Sequence, residues 1–270
     1  MKKRNFNNKV VVITGGASGI GLATGWKFAS QGAKIAILDM EQDALLTCQN
    51  KFVEAGHDVL AVKCDVSNRK DCDAAIKKII AHYGGIDVLF NNAGITQRGS
   101  FVNTRLSVYR KVMEVNFFGS LYCTKAAVNS LIERKGLIIV NESVAGLTPL
   151  LGRTGYSASK HALQGLFSSL RCELKHKGVH VLIVCPGFIN TNLQTRALGS
   201  DGNIARHPQS LIGKPDTPEN VAEIIFCGAE KGKHLMVLTA IGKIGYWISR
   251  LAPVFYERMM TRKFKSELEQ

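Results

Sequence analysis

The sequence has 270 residues, of which 46% are hydrophobic and 21% charged, which argues against a disordered chain and allows a sizeable core. Its seven cysteines show no paired spacing, which argues against a disulfide framework or a zinc site and favours a reducing compartment. No stretch reaches the roughly 18 apolar residues that a spanning helix needs, so we expect a cytoplasmic protein.

The net charge of +14 is concentrated near the two ends of the chain. Residues 1–38 contain six Lys/Arg and no acid, and residues 243–265 contain six more with Glu257 as the one acid. Such clusters attract nucleic acid, anionic lipid or phosphorylated ligands, or they form an ordinary solvated surface. No nucleic-acid-binding motif accompanies the charge, so we do not expect nucleic acid as a partner.

Short β-branched runs alternate with amphipathic stretches along the chain. These runs predict seven strands, at residues 9–14, 34–39, 58–63, 86–90, 136–141, 179–184 and 234–238. They are almost continuously apolar, as expected of parallel strands that are buried on both faces. Helical patterns fill most of the gaps, so the sequence predicts an α/β fold with a doubly wound, seven-stranded parallel sheet (Rossmann-like) and helices on both faces. We expect one domain over residues 1–240 and an amphipathic, basic appendage over 241–270.

The first predicted strand runs into the glycine-rich stretch TGGASGIG. Gly15, Gly19 and Gly21 lie where the strand turns into a helix, which permits a tight turn and lets backbone amides approach a pyrophosphate. Asp39 ends the second strand, where its carboxylate can accept hydrogen bonds from a ribose diol. The context predicts a dinucleotide site.

The identity of the dinucleotide depends on Asp39, which would repel the extra phosphate of NADP. Ser18 and Met40 occupy the nearby positions, and no Arg or Lys accompanies them. We therefore expect NAD, with NADP as the alternative. A structural reading stays open as well, in which Asp39 caps the following helix.

Tyr156 and Lys160 lie four residues apart at the start of a predicted helix and therefore on one face. A nearby ammonium favours the phenolate and makes the tyrosine a better general base. Ser143 lies thirteen residues upstream of Tyr156, just past a strand end, where ligands bind in open α/β sheets. Tyr and Lys at this spacing are by themselves more often surface neighbours, but together with Ser143 they indicate an acid/base site for a hydroxyl or carbonyl group. The histidines show no metal-ligand spacing, so no metal is expected.

The combined motifs identify a resemblance to the short-chain dehydrogenase/reductase family over residues 9 to about 240. They are TGGASGIG (14–21), CDV (64–66), NNAG (91–94), Asn116 in EVNFFG, Ser143, YSASK (156–160) and PGFINT (186–191). The resemblance implies that Tyr156 is the acid/base, that Lys160 binds the nicotinamide ribose and lowers the tyrosine pKa, and that Ser143 orients the substrate oxygen. It also implies that Asn116 holds a water linking Lys160 to solvent.

The same resemblance implies a set of cofactor contacts. Asp65 and Asn92 would flank the adenine, and Ile189 and Thr191 would hold the carboxamide. The complete expected cofactor set is Gly15, Ser18, Gly19, Ile20, Gly21, Asp39, Asp65, Val66, Asn92, Ala93, Gly94, Tyr156, Lys160, Pro186, Gly187, Ile189 and Thr191. Family members often have two adjacent serines where this chain has Glu142 and Ser143. Because adjacent strand residues point to opposite faces, we expect Glu142 to be structural or solvated.

Two further segments bear on the substrate. Residues 192–215 form a long irregular stretch that predicts a substrate lid, with disorder as the alternative. Its apolar residues are Leu193, Leu198, Ile204, Leu211 and Ile212.

The tail predicts two short amphipathic helices that meet at Pro253. Their apolar residues at helical spacing are Ile244, Trp247, Ile248 and Leu251, then Phe255, Tyr256, Met259, Met260 and Phe264. The tail packs on its own domain, packs on a twin subunit, or makes peripheral contact with a membrane through residues 244–264.

The favoured interpretation is an oxidoreductase that transfers a hydride between NAD(H) and a secondary alcohol or ketone on a small apolar substrate. The lid and tail, together with the resemblance, favour a lipid-, steroid- or retinoid-like molecule. An NADPH-dependent carbonyl reductase is the alternative. A non-enzymatic cofactor sensor or scaffold is less favoured, because Tyr156 and Lys160 are both present. A homodimer or homotetramer is also expected.

Overall fold

The computed structural model describes residues 3–205 and 214–265. Within them the strands are Val10–Thr14 (β1), Lys34–Asp39 (β2), Val59–Lys63 (β3), Val88–Asn91 (β4), Leu137–Asn141 (β5), His180–Cys185 (β6) and Leu235–Val237 (β7). The helices are Gly19–Ala29 (α1), Gln42–Glu54 (α2), Arg69–Tyr83 (α3), Leu106–Met113 (α4), Gly119–Glu133 (α5), Thr154–Leu174 (α6), Asn192–Thr195 (α7), Pro218–Glu230 (α8), Ala240–Leu251 (α9) and Pro253–Phe264 (α10). A π-helical turn, Glu114–Phe118, joins α4 to α5, and a 3₁₀ turn, Val144–Gly146, follows β5. All seven predicted strands are confirmed.

The strands form one sheet in the order β3-β2-β1-β4-β5-β6-β7, and every neighbouring pair is parallel. From β1 the chain builds outwards to β3 on one side, then returns to β4 and builds outwards to β7 on the other. The carboxyl ends of β1 and β4 therefore border the crevice where open α/β sheets bind ligands.

Both faces of the sheet are buried, which explains the unbroken apolar runs. Alternate residues of β1 show this: Val10 and Val12 belong to the core under α3, α5 and α6, and Val11 and Ile13 to the core under α1, α2 and α8. Burying each such side chain stabilises the fold by roughly 1.5–3 kcal/mol. The sheet is thus a rigid frame for the loops at its carboxyl edge.

The tail forms the two predicted helices, joined at Pro253 as expected. The Thr239 hydroxyl caps α9 by accepting a hydrogen bond from Gly242 N at 3.1 Å, and Pro253 occupies the first turn of α10. The inner face of α10 is buried against the domain, where Tyr256, Met260 and Phe264 pack on Leu150, Leu151 and Ile248. The α9 stripe is different, because Ile244, Trp247 and Leu251 stay exposed. In the part of the chain that the structure covers, no helix combines the length and apolarity needed to cross a bilayer.

The described part of the segment expected to be irregular contains regular structure. Residues Asn192–Thr195 form one helical turn, and Leu198 then pairs with the backbone of Thr96 and Arg98. Ile204 is exposed. The expected lid residues Leu211 and Ile212 lie outside the described residues.

Candidate active site

The glycine-rich turn between β1 and α1 is built for close backbone approach. Gly15 has φ +60°, and a Cβ there would lie 2.9 Å from Ala93 Cα, which follows β4. A Cβ on Gly21 would collide with the carbonyl oxygen of Gly15 and with the Asn92 amide. Helix α1 begins at Gly19, and its N-cap Ser18 makes no side-chain capping bond, so amides of the first turn are open to an anion.

Asp39 is fixed beside this turn at the end of β2. Its Oδ2 accepts a hydrogen bond from Ala17 N at 3.1 Å, and its Oδ1 accepts one from Glu41 N at 3.3 Å. Because α2 begins at Gln42 with Glu41 as its N-cap, the reading of Asp39 as a helix cap is wrong. The Asp39 carboxylate is instead hydrogen-bonded to the glycine-rich turn.

Residues at the ends of β2 and β3 continue the site outwards. Asp65 and Met40 line one shallow hollow next to Asp39, and Asp65 Oδ1 accepts hydrogen bonds from the backbone and hydroxyl of Ser67. Val66 is buried, and Gly119 packs against it without room for a side chain. This hollow is where the adenine of the cofactor is expected to lie.

The Asn92 side chain joins three strand ends. Its Nδ2 donates to the carbonyl oxygens of Thr14 and Gly15, each at 3.0 Å, and its Oδ1 accepts from Asn141 Nδ2 at 2.9 Å. Thr14 Oγ1 in turn accepts from the backbone of Asn92 and Ala93, each at 3.0 Å. The structure therefore places the Asn92 amide in a protein network that holds the glycine turn in position.

Tyr156 and Lys160 lie on one face of α6 and are both buried. Gln97 Oε1 accepts a hydrogen bond from Tyr156 N at 2.9 Å, which fixes the start of the helix. Lys160 Nζ donates to the carbonyl oxygen of Asn141 at 2.8 Å and lies 5.6 Å from the centre of the Tyr156 ring. Ser143 lies at the end of β5, where its Oγ also accepts from Ala145 N at 3.1 Å.

The protonation behaviour of this pair follows mainly from its burial. Burial raises the pKa of Tyr156 above its ordinary value, while a hydrogen bond with Ser143 and the guanidinium of Arg153 lower it. Burial also lowers the pKa of Lys160 to about 8, against the opposing effect of the Glu142 carboxylate. The phenol of Tyr156 therefore gives up its proton less readily than an ordinary tyrosine does.

Asn116 lies in the π-helical turn, a feature that is frequent at functional sites. Its Oδ1 accepts from Ile95 N at 2.8 Å, and its Nδ2 donates to Ile95 O at 3.0 Å and to Ser159 Oγ at 2.9 Å. Gly94 lies between the Asn116 amide and Lys160 Nζ. The side chain therefore fixes the loop after β4, and a water-linking role stays a prediction.

The loop after β6 closes over the glycine turn. A Cβ on Gly19 would lie 3.2 Å from Thr191 Cγ2, and Pro186 O accepts a hydrogen bond from Val144 N at 3.0 Å. Ile189 is buried, and Gly187 packs against Thr239. The residues after β5 and β6 therefore meet beside α1.

Glu142 was expected to be either structural or solvated, and the solvated alternative is wrong. Glu142 is 2% exposed, its Oε2 accepts a hydrogen bond from Cys185 Sγ at 2.7 Å, and its Oε1 has no hydrogen-bond partner among the described residues. Burial raises its pKa to about 8, with the Cys185 hydrogen bond and the Lys160 charge opposing that rise. Glu142 follows the last residue of β5 and lines the same cavity as Ser143 and Tyr156, so alternation along the strand does not turn it away from the site.

These elements surround a cavity of about 540 Å³. The expected site residues that line it are Ile20, Asn92, Ser143, Tyr156, Lys160, Pro186, Gly187, Ile189 and Thr191. The other expected residues do not line it: they are Gly15, Ser18, Gly19, Gly21, Asp39, Asp65, Val66, Ala93, Gly94 and Asn116. Of the expected lid residues, Leu193 lines the cavity.

Sequence reasoning missed residues that line this cavity and residues that position its walls. Arg153 is buried beside Tyr156, and Gln97 fixes the start of α6. Neither carries a sequence signal beyond its position near a motif. The tail also supplies lining residues, among them Ile244, Ile248 and Met260, so it forms one wall.

The residues present fit a dinucleotide. The glycine turn leaves space and open amides for a pyrophosphate, the Asp39 carboxylate is positioned for a ribose, and the cavity beside Tyr156 is wide enough for a nicotinamide and a substrate. Tyr156 and Lys160 would contact the nicotinamide end, and Asp39 the adenosine end.

Comparison with known proteins agrees with this geometry. A family model described as short chain dehydrogenase matches residues 9–200. A mouse protein named dehydrogenase/reductase SDR family member 7B is 34% identical over 98% of this chain and 84% of its own length. A Dictyostelium discoideum protein named dehydrogenase/reductase SDR family protein 7-like is also 34% identical, over 97% of this chain and 83% of its own length.

Two solved structures show the same fold. A short-chain dehydrogenase/reductase from Burkholderia phymatum, described as a complex with NAD, superimposes with a TM-score of 0.81 at 26% identity, covering 92% of this chain and 96% of its own. A short-chain dehydrogenase from Streptomyces avermitilis gives a TM-score of 0.81 at 27% identity, covering 96% and 98%.

Proposed function

Since this chain belongs to the short-chain dehydrogenase/reductase family, an oxidoreductase family that uses NAD(P), we propose that it transfers a hydride between NAD(H) and a secondary alcohol or ketone on an apolar molecule, with Tyr156 as the acid/base. The proposal rests on one observation: Tyr156, Ser143 and Lys160 meet in a largely apolar cavity that the glycine turn also reaches.

The roles proposed for these groups come from the family resemblance, and the positions of the side chains are compatible with them. In the direction of oxidation, the Tyr156 phenolate takes the proton of the substrate hydroxyl. A hydride leaves the carbon that bears this hydroxyl, and that carbon becomes a carbonyl. The nicotinamide, when bound, supplies the hydride acceptor in this direction and the hydride donor in the other. Ser143 donates a hydrogen bond to the substrate oxygen. Lys160 donates a hydrogen bond to Asn141 O, and its ammonium stabilises the phenolate as long as the lysine is protonated.

The substrate class is proposed from the cavity wall. Apolar side chains from several segments line it, for example Leu150 between β5 and α6, Phe188 after β6 and Ile248 in α9. A volume of about 540 Å³ lies within the usual range for drug-sized ligands. These features support a lipid-, steroid- or retinoid-like molecule, and the segment at 192–215 would act as its lid.

The preference for NAD over NADP is proposed from Asp39. Its carboxylate is held against the glycine turn by Ala17 N, where a ribose phosphate would meet a like charge. The competing proposal, an NADPH-dependent carbonyl reductase, is separated from this one by titrating the protein with NADH and NADPH. Tenfold tighter binding of NADPH would favour the competitor.

Replacing Tyr156 with Phe tests the reaction. We expect kcat to fall by about 100-fold or more, since general acid–base groups contribute factors of that size, while the Kd of NADH stays within about threefold. The assay is a panel of steroid, retinoid and long-chain keto substrates with NADH and NADPH. Tyr109→Phe is the matched control, because the Tyr109 hydroxyl hydrogen-bonds to Thr154 Oγ1 at 2.8 Å and does not line the cavity. Undiminished turnover in Tyr156→Phe would refute the mechanism.

Two further properties of the protein stay predictions. Assembly into a homodimer or homotetramer is one, and a cytoplasmic location is the other. Sedimentation velocity of the full chain measures the first.

A further inference from the structure

The tail exposes many apolar side chains. While Tyr256, Met260 and Phe264 are buried against the domain, seven other apolar side chains of α9 and α10 remain between 39% and 79% exposed. They are Ile241, Ile244, Trp247, Leu251, Val254, Phe255 and Met259. Scattered apolar residues on a surface need no explanation, but this many within two short helices mark an interaction surface. We call these seven residues the tail face.

The surroundings of the tail face are strongly basic. Residues 240–265 contain six cations, Lys243, Arg250, Arg258, Arg262, Lys263 and Lys265, and a single acid, Glu257. All six cationic residues are exposed. Two apolar members of the face, Phe255 and Met259, line the same surface hollow as Arg258, Arg262 and Lys263. Apolar anchors and cations therefore lie side by side.

We propose that the tail face docks on an anionic lipid surface. An amphipathic helix inserts its apolar side at the headgroup boundary while neighbouring cations meet acidic headgroups. A second copy of the chain fits less well, because a two-fold contact through this face would place two basic segments opposite each other. The lipid surface supplies the missing negative charge, and a twin subunit does not.

The tail face is continuous with the active-site cavity. Ile241, Ile244 and Met259 belong to the face and also line the cavity, and Lys263 lies in both the cavity lining and the basic hollow. The cavity therefore borders the docked surface, which would let an apolar substrate pass from lipid to Tyr156 without crossing bulk water. This last step rests on the proposed function, whereas the docking does not.

The test measures binding of the full-length protein to vesicles, with no substrate present. Co-pelleting measures the affinity of the chain for the vesicles. We expect the affinity for vesicles containing about 30% phosphatidylserine to be at least tenfold higher than that for pure phosphatidylcholine vesicles. Added salt should weaken the binding. Trp247 is 59% exposed, so its emission should shift to the blue on binding. The other tryptophan, Trp26, is partly buried and stacks on Phe52 far along the chain from the tail, so it gives a constant background.

Paired variants separate the apolar from the electrostatic contribution. L251S/F255S and R258Q/R262Q should each reduce binding to anionic vesicles roughly tenfold or more. The matched controls are L46S/V53S, two exposed apolar residues of α2, and K51Q/K125Q, two exposed lysines elsewhere; all should bind like wild type. Since the altered residues are exposed, NADH affinity should be unchanged in every variant.

The outcomes are distinct. Equal pelleting of wild type and both tail variants would overturn the proposal. So would a failure to bind vesicles together with a concentration-dependent dimer that L251S/F255S abolishes in sedimentation velocity. Because vesicle binding is measured without turnover, a negative result leaves the hydride-transfer proposal intact. An inactive protein that still binds vesicles would leave the docking intact.

Discussion

Replacing Glu142 with Gln should flatten the dependence of stability on pH. The pKa of Glu142 is raised from 4.5 to about 8 by burial, so the folded state binds this proton more tightly than the unfolded state does. A carboxyl with a raised pKa makes the free energy of unfolding fall as pH rises, by about 1.4 kcal/mol per pH unit between the unfolded and folded values. From about pH 5.5 to about pH 7.5 the wild type should therefore lose about 2.7 kcal/mol through this one group.

The window can be chosen so that Glu142 is isolated from its neighbour Lys160. The pKa of Lys160 is lowered to about 8, so its titration affects stability above the window and with the opposite sign. The substituted side chain would also place an amide at Glu142 Oε1, an atom that has no hydrogen-bond partner among the described residues. That cost lowers the free energy of unfolding at every pH, so the informative quantity is the slope of this free energy against pH.

The assay is urea unfolding at a series of pH values. Glu54→Gln, on the exposed side of α2, is the control and should keep the wild-type slope. If Glu142→Gln and wild type gave parallel slopes through the window, the buried carboxyl would not be the source of the pH dependence.

Three further predictions concern the cofactor, the direction of reaction and the tail. Asp39→Ser should lower the ratio of NADH to NADPH affinity by about tenfold or more, since the repelling carboxylate is gone; an unchanged ratio in fluorescence titrations would contradict its role. Because burial raises the pKa of Tyr156, the initial rate of oxidation should increase with pH and that of reduction should decrease as the phenol ionises. The opposite trends would count against Tyr156 as the acid/base. Phe264→Ala should cost about 3–5 kcal/mol of unfolding free energy, whereas Phe255→Ala, at a site 60% exposed, should cost under about 1 kcal/mol. Similar losses in the two variants would show that α10 does not dock as described.

The strands were predictable because buried parallel strands have a local signature. Runs such as Val10–Thr14 are apolar on both faces, and their bounds follow from the residues themselves. The glycine turn was predictable for a similar reason, since Gly15 and Gly21 occupy positions where a side chain would collide with neighbouring backbone. Short-range chemistry determines both features.

The errors came from contacts between distant segments. Alternation predicted that Glu142 turns away from Ser143, but Glu142 lines the cavity, and its hydrogen bond from Cys185 on β6 is not visible in the local sequence. The tail pattern predicted two helices correctly. It did not distinguish Tyr256, which is buried, from Trp247, which is exposed, because both have the same local periodicity.

The position of α9 and α10 as one wall of the cavity separates the chemistry from the choice of substrate. The reacting groups are held by β5, α6 and the sheet edge, while Ile244, Ile248 and Met260 come from the last segment of the chain. Exchanging that segment would alter the shape of the pocket without moving Tyr156 or the glycine turn. The fold therefore offers a modular route to new selectivity, in which a terminal segment diversifies while the catalytic frame stays constant.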